Sequence, residues 1–465
     1  MTQPIYPTAE IRRIEEAAGD VSPSLMERAG AAAAELAARL ATDAGKDVLV
    51  LAGPGNNGGD ARIVARILQE KFFRVTVADA AHPPPEKEFN LVIDGLFGIG
   101  LARPVEGEYA KLVGFANARR CPVLALDIPS GIASDTGRIL GRAIRATHTI
   151  TFIGLKPGLL TLDGPDHCGR VSVADLSLNP SSAKGDQGWL AEPALFSNSL
   201  RPRQRNFHKG QAGSVAILGG AAGMTGAALL AGRAALKLGA GRVYGGLLEP
   251  QAVDPVAPEL MLRHPDDVLG LDLEAIVIGP GLGQSERAGT LLGAVLASDI
   301  PCVLDADALN LIAGDEDLRR ACAHRTADTL LTPHPAEAAR LLAETTASVQ
   351  ADRLKAARSL AANLNAHVVL KGNGSVIAAR DGHWFINASG NPGMASAGIG
   401  DVLAGILGAL LAQKFTGESS LVLGVHLHGC AADECVRAGA GPVGLVASEL
   451  IDPARRLWNA WLTSA

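Results

Sequence analysis

Short apolar runs alternate with helical patterns along the whole chain, and the alternation lapses once. Runs at Val48–Ala52, Arg74–Ala78, Leu91–Asp94, Val123–Ile128, His148–Phe152 and Val171–Ala174 read as strands, with helical stretches such as Leu25–Thr42 and Asp60–Lys71 between several of them. That rhythm predicts a parallel sheet, because parallel neighbours need a long crossover that a helix supplies. From Asn179 to His208 the pattern gives way to Pro, Ser, Asn, Gln and Arg. It restarts at Ser214–Leu218 and continues through Ala275–Ile278, Cys302–Asp305, Thr329–Leu331, His367–Leu370, Ser375–Ala379 and Trp384–Asn387. Two helical runs, Leu421–Ala438 and Val446–Leu462, close the chain. The expected organisation is two α/β domains, residues 1–180 and 205–465, joined by a linker at 181–204. Each is long enough to bury its own core.

Composition removes several function classes. Of 465 residues, 48% are hydrophobic and 19% charged, which fits well-buried domains and excludes a disordered chain. A net charge of −6 offers no basic surface for nucleic acid or for a membrane. The most apolar run, Val402–Ala412, is too short to span a bilayer. The first helix pattern, Thr8–Gly19, carries Arg12, Arg13, Glu15 and Glu16 and is no signal sequence. Six cysteines stand at 121, 168, 302, 322, 430 and 435 with no Cys-x-x-Cys pair, which argues against a zinc site and fits a reducing compartment. The expectation is a cytoplasmic homo-oligomer with small-molecule partners, no nucleic acid and no membrane.

In the first half, the strand Val48–Ala52 runs into Gly53-Pro54-Gly55-Asn56-Asn57-Gly58-Gly59-Asp60 and then a helix. Strand, glycine loop and helix together can hold a phosphate at the helix N-terminus. A tight turn capped by Asp60 explains that residue and some glycines, but not Asn56-Asn57. Two further strands lead into Asp94-Gly95-Leu96-Phe97-Gly98-Ile99-Gly100-Leu101 and Asp127-Ile128-Pro129-Ser130-Gly131. Ligands of parallel α/β sheets sit outside the carboxyl ends of strands, so the three loops gather at one edge. Their amide, carboxylate, hydroxyl and carbonyl oxygens suit a hard cation.

These loops have Leu25-Met26-Glu27-Arg28-Ala29-Gly30 before them, and Lys156-Pro157-Gly158 and Gly169-Arg170-Val171 after them. Together they resemble the N-terminal domain of the YjeF family, the NAD(P)H-hydrate epimerases, over about residues 5–178. The resemblance implies a Rossmann-like αβα domain with a potassium ion near Asn57, Asp94 and Ser130. It implies substrate contacts from Asn56, Asn57, Gly58, Gly59 and Asp60, from Gly98, Ile99, Gly100, Leu101, Ala102, Arg103 and Pro104, and from Asp127. Asp127 becomes the candidate acid/base for epimerising the hydrated carbon. One departure is Ala61, where the family commonly has Gly.

The second half has its own series of strand-end loops. Gly219 to Ala227, Gly279-Pro280-Gly281-Leu282-Gly283, Asp305-Ala306-Asp307-Ala308-Leu309-Asn310, Thr332-Pro333-His334-Pro335-Ala336-Glu337 and Lys371-Gly372-Asn373-Gly374-Ser375 each follow a strand. Asn391-Pro392-Gly393-Met394-Ala395-Ser396-Ala397-Gly398-Ile399-Gly400-Asp401 then opens an apolar helix. Small residues there let backbone N–H groups approach an anion, and the helix N-terminus adds partial positive charge. Plainer readings exist for each. The Asp305–Asp307 pair can be a strand end and a cap, His334 a hydrogen-bonded turn residue, Lys371 an exposed strand-end lysine and Asp401 an N-cap. His426 and His428, two apart, point to different helix faces and receive no function.

Gly-x-Gly-Asp resembles the anion-hole signature of ribokinase-like phosphotransferases. With Gly279-Pro280-Gly281 and Thr332-Pro333-His334-Pro335, the half from about residue 200 resembles the C-terminal YjeF domain, the nucleotide-dependent NAD(P)H-hydrate dehydratases of ribokinase-like fold. The resemblance implies ADP contacts at Lys371, Gly372, Asn373, Gly374 and Ser375, and at Asn391, Gly393, Met394, Ala395, Ser396, Ala397, Gly398, Ile399 and Gly400. It sets hydrated nicotinamide against Ala227, Gly281, His334 and Asp401. One departure is Ala336, where the family's usual motif has Gly.

The implied fold class is α/β throughout, Rossmann-like and then ribokinase-like. The implied activity is repair of NADHX and NADPHX, the hydrates of NADH and NADPH. One domain interconverts R and S epimers with K+; the other dehydrates the S form with ADP and Mg2+, Asp401 acting as base. A small-molecule kinase for a sugar or vitamin-precursor alcohol is the alternative, and Gly-x-Gly-Asp alone fits it equally well. A non-catalytic nucleotide sensor is a second. The first half argues against the kinase, which needs no such domain. ADP over ATP is the donor expected of a chain that fuses both domains.

Overall fold

Val48, Leu49, Val50 and Leu51 are all fully buried, as a strand covered on both faces requires. They form β1 (Asp47–Ala52) of a six-stranded parallel sheet with β2 (Arg74–Ala78), β3 (Leu91–Gly95), β4 (Val123–Leu126), β5 (His148–Phe152) and β6 (Arg170–Ala174). The order is β2-β1-β3-β4-β5-β6, so the chain reverses direction across the sheet between β1 and β3. A crevice opens outside the carboxyl ends at such a reversal. Helices α1 (Thr8–Ala18), α2 (Leu25–Ala44) and α3 (Asn56–Glu70) put Ile11, Ala33, Ala37 and Leu68 against Val48 and Val50. On the other face, α4 (Gly107–Asn117) sets Leu112, Val113 and Ala116 against Leu49 and Leu51. The period of two in β1 therefore builds two cores. A reciprocal capping box fixes the start of α2: Ser24 Oγ accepts from Glu27 N–H, and the Glu27 carboxylate accepts from Ser24 N–H.

This is a computed structural model describing residues 2–178 and 185–464. The chain divides into two compact units that part between Trp189 and Leu190. Within the expected linker, residues 181–184 lie outside the described residues. The remainder carries a short strand, Gly188–Leu190, and 3-10 turns at Pro193–Leu195 and Ser197–Ser199.

The second unit contains β7 (Ser214–Gly219), β8 (Arg242–Leu247), β9 (Met261–Arg263), β10 (Ala275–Ile278), β11 (Cys302–Leu304), β12 (Thr329–Leu331), β13 (His367–Leu370), β14 (Ser375–Ala378) and β15 (Trp384–Asn387). Their order is β15-β14-β13-β12-β11-β10-β7-β8-β9. All neighbours are parallel except β14, which runs against both β13 and β15. The reversal here lies between β7 and β10. Strands β8 and β9 were not expected from the sequence: Gly245-Gly246 breaks the apolar run of β8, and β9 is three residues long.

Two helix starts differ from expectation in a way that matters. Helix α3 begins at Asn56, not Asp60, so the "loop" Asn56–Asp60 is its opening turn and Asp60 is no cap. Gly58 and Gly59, poor helix formers, hid that turn in the sequence. Helix α5 (Thr225–Lys237) follows β7, and α6 (Glu286–Leu296) follows the Gly279–Gly283 loop. Helices α7 (Asp307–Gly314), α8 (Pro335–Leu342) and α9 (Arg353–Leu364) lead to α10 (Ile399–Ala412), α11 (Gly417–Arg437) and α12 (Ile451–Ser464). Helix α10 starts at Ile399, which makes Asp401 its third residue. From Val402 to Ala412 every residue is buried, which accounts for its continuous apolar sequence. Among the described residues no helix is long and apolar enough to cross a membrane. The six cysteines are free, and burial pushes every one of these thiols above its ordinary pKa.

Helices α5 and α10 pack closely at Gly405, where an added Cβ would lie 2.1 Å from the Ala231 carbonyl oxygen. That contact is backbone, so neither helix can yield locally. Gly405→Ala is expected to destabilise the second unit by about 1–3 kcal/mol, the usual scale of overpacking. Chemical unfolding followed by tryptophan fluorescence reads this, and an unchanged midpoint would show that the helices can spread.

Candidate active sites

The opening turn of α3 enters the first crevice. A cavity of about 640 Å3 lies there, lined by Asn56, Asn57, Asp60, Gly98–Arg103, Asp127 and Lys156, with Arg12 and Glu15 from α1. Of the expected substrate residues, Gly58, Gly59 and Pro104 do not line it. The loops meet closely. A Cβ on Gly98 would sit 3.2 Å from Asp127 Oδ2 and 3.4 Å from Asn57 Cγ.

The three expected potassium ligands differ in how they are satisfied. Asp94 is fully buried and accepts from Ser130 N–H at 2.8 Å, Ser130 Oγ at 2.6 Å and Leu96 N–H at 3.3 Å. Burial outweighs these bonds and pushes its pKa up to about 6. The buried Asn57 amide has no hydrogen-bond partner for Oδ1 or Nδ2 among the described residues. An orphaned amide oxygen near buried carboxylate and hydroxyl oxygens fits a hard cation, since an unsatisfied buried polar group is otherwise costly.

Around the cavity, charge is unevenly shared. Asp127 sits at φ +65 and directs Oδ1 to Lys156 Nζ at 2.5 Å, with Oδ2 3.4 Å from Ile99 N. Burial, then Asp127, then Glu15 push the Asp60 carboxyl up to about 8, so it is mostly protonated at pH 7 and can donate. Glu15 is raised by burial and by Asp127. Lys156, Glu15 and Arg12 were not among the sequence-based site residues. Nothing in their spacing marks them, because they come from helix α1 and from the turn after β5.

In the second unit, Gly220 N–H donates to the Pro280 carbonyl and Ala221 N–H to that of Gly281, joining the loops after β7 and β10. Gly281 also lies against the Met224 carbonyl at the entry to α5, the helix that carries Ala227. Asp305, buried at the end of β11, accepts from Thr332 Oγ1 at 2.6 Å and from Lys371 Nζ at 3.0 Å. Lys371 N–H in turn donates to Pro333 O at 2.9 Å, tying the His334 loop to the loop Lys371–Ser375. His334 caps α8: Nδ1 accepts from Ala336 and Glu337 N–H, and Glu337 returns a bond to His334 N–H at 2.8 Å. Its ring stays about half exposed, and burial and then Lys371 lower its pKa, favouring the neutral form. Gly372 to Ser375 closes on itself, Ser375 Oγ lying 3.1 Å from Gly372 O.

The glycine run is held from beneath by α11. Asp433 accepts from Gly390 N–H at 2.9 Å and from Asn391 Nδ2 at 3.0 Å, and Asn391 Oδ1 accepts from Gly393 N–H. His428, without assigned function in the sequence, is buried, and burial pushes its pKa down to about 4. Gly398 caps α10 in the left-handed region at φ +83, which turns the chain into the helix. Lys371 Nζ lies 3.1 Å from where a Cβ on Gly400 would be, so the lysine and the turn converge. Beside them burial, then Asp305, push the Asp401 carboxyl up to about 7, against the pull of Lys371. A second cavity, about 330 Å3, lies between Pro392, Gly393, Ala395, Ser396 and the segment Pro442–Val446. That segment was invisible in the sequence because it carries no polar side chain.

Two family matches cover most of the chain. Residues 22–89 and 78–158 match the family described as YjeF-related protein N-terminus, and residues 215–453 match NAD(P)H-hydrate dehydratase. The chain is 38% identical to the bifunctional NAD(P)H-hydrate repair enzyme of Coxiella burnetii, over 98% of this chain and 99% of that protein. It is also 38% identical to the Escherichia coli enzyme of the same name, over 98% and 94%. The crystal structure of the ADP/ATP-dependent NAD(P)H-hydrate dehydratase of Bacillus subtilis, grown with ATP/Mg2+, is 32% identical and superposes with a TM-score of 0.51, covering 57% of this chain and 96% of that one.

Removing the Asn57 amide should be locally tolerated, because it has no hydrogen-bond partner to lose among the described residues. Asn57→Leu is expected to leave the melting temperature of the first unit within about 2 °C, since substitutions that break no interaction are near neutral. A fall of many degrees would mean that the amide is tied into the fold and not reserved for an ion.

Proposed function

The chain belongs to the family of bifunctional NAD(P)H-hydrate repair enzymes, and from that premise we propose how its residues divide the work. It carries an epimerase and a dehydratase in one polypeptide, and a free-standing small-molecule kinase is not favoured. We assign residues 1–180 to the epimerase and 205–465 to the dehydratase.

For the dehydratase, the observation that carries the reading is Asp401 beside the Lys371–Asp305 pair at the N-terminus of α10. The nucleotide binds on Lys371–Ser375 and Asn391–Gly400, its phosphates facing backbone N–H groups at a helix start. Asp401 takes the proton of the substrate hydroxyl as that oxygen attacks phosphorus. AMP leaves the transferred phosphorus; the carbon–oxygen bond to phosphate then breaks, phosphate departs with that electron pair, and the neighbouring ring carbon gives up a proton to solvent as the ring regains its double bond. The Gly398–Gly400 turn and Lys371 stabilise charge on the moving phosphoryl group. The acceptor ring lies against Ala227, Gly281 and His334, whose neutral imidazole can hydrogen-bond without adding charge. ADP is the proposed donor. Magnesium, held chiefly by the phosphates, would neutralise phosphate charge there.

For the epimerase, Asn56, Asp60, Gly98–Arg103 and Asp127 contact the substrate. Asn57, Asp94 and Ser130 would hold potassium, which would supply fixed positive charge to the loops of the crevice. Cytoplasmic residence and self-association complete the proposal.

Two expectations test these assignments. A base acts when ionised, and the Asp401 carboxyl ionises only as pH rises through about 7. Dehydratase kcat/KM should therefore climb between about pH 6 and 8 and then level off. Asp401→Asn should abolish that limb and slow dehydration by roughly 10²–10⁴-fold with epimerisation unchanged. Recovery of NADH absorbance from the S hydrate with ADP reads both, and a mutant that dehydrates at the parent rate removes Asp401 from the mechanism. Epimerase activity, followed by resolving R and S hydrates chromatographically, should depend on potassium and drop in Asp94→Ala. Full activity without potassium would overturn the cation assignment.

A further inference from the structure

Lys156 is wholly buried, at 0% exposure, yet its ammonium faces the epimerase cavity. Nζ has three acceptors: Asp127 Oδ1 at 2.5 Å, Thr151 Oγ1 at 2.7 Å and Phe152 O at 2.8 Å. An ammonium has three donors, so this set saturates it. Burying a lysine is costly, and an apolar side chain would fill the space more cheaply. What the lysine adds is a tie between the end of β4, which carries Asp127, and the end of β5, which carries Thr151 and Phe152.

Backbone strain gathers at the same point. Asp127 has φ +65, and Ile153, directly after Phe152, has φ +70. A positive φ is uncommon for Asp and a genuine outlier for a β-branched residue. Both residues line the cavity; Asp127 is itself an acceptor of the ammonium, and Ile153 adjoins another, Phe152. The other groups facing this pair are Asp60 from α3, Arg12 and Glu15 from α1, and Arg103 from the loop after β3. Asp60, raised to about 8, holds its proton at neutral pH, and Asp127 is the carboxylate paired with the lysine.

We infer that Lys156 is a positioning residue of the epimerase. It holds Oδ1 of Asp127 so that Oδ2 faces the substrate as proton acceptor, and its ammonium balances the charge of that partly exposed carboxylate. This rests on the role proposed for Asp127.

The test uses the full chain and the epimerase assay. In Lys156→Met, kcat should fall by roughly 10²–10⁴-fold, the scale for a misplaced acid/base, while KM and the potassium requirement stay near those of the parent. The acidic limb of kcat/KM should also move to higher pH, because a buried carboxylate without its cation takes up a proton more readily. Raising the pH should then restore part of the rate. A merely structural lysine predicts a loss that follows the fraction unfolded and does not recover at higher pH, and that result would overturn the inference. Should Lys156→Met fail to fold, Lys156→Arg decides: with the charge kept, the limb should stay in place although kcat falls, and a displaced limb refutes it. Asp127→Asn separates the two layers. Normal epimerisation in that variant sinks the role of Asp127 itself, whereas an inactive Asp127→Asn beside a fully active Lys156→Met sinks only the present inference.

Discussion

Buried carboxyl groups need a cation or a proton, and both halves of this protein meet that need with one lysine and several acids at strand ends. In the first unit Lys156 takes Asp127, and Asp60 is left to hold a proton, while burial and Asp127 raise the Glu15 carboxyl. In the second, Lys371 takes Asp305, and Asp401 is left with a pKa near 7. Breaking one side of such a pair costs about 3–5 kcal/mol, far more than a surface ion pair contributes. The parallel sheet makes the arrangement possible, because it ends all its strands at one edge and brings distant acids together without exposing them. In each unit a carboxyl raised toward neutrality, Asp60 or Asp401, stands beside the ion pair and not within it.

Backbone loops near the chemistry are held by helices behind them. The glycine run before α10 has little side-chain bulk to fix it. Asp433, from α11, clamps Gly390 and Asn391. A run of small residues thus gains order from a long helix whose own sequence reads as apolar packing.

Most of the architecture was legible because β1, β3, β7 and β10 are short apolar runs followed by glycine, a pattern with few other solutions. Asn57, Asp94, Asp127, Lys371 and Asp401 were legible for the same reason, since strand-end loops can be found by counting. What escaped lies off that pattern. Lys156 reads as part of a Lys-Pro-Gly turn, and its burial against Thr151 depends on the third dimension. Glu15 reads as a solvent-facing helix charge until α1 is laid over the cavity. The early start of α3 was masked by two glycines, and β8 by Gly245-Gly246. Pro442–Val446 shapes a cavity through backbone and aliphatic surface alone, so no residue type announces it.

The six thiols share a property with a chemical consequence. Only the thiolate attacks electrophiles or peroxide at an appreciable rate, and burial holds each cysteine largely protonated at neutral pH, Cys168 and Cys322 with pKa values pushed up to about 12. No catalytic role in either cavity falls to sulfur. Burial thus lowers the reactivity of these thiols toward oxidants at neutral pH without any disulfide having to mask them.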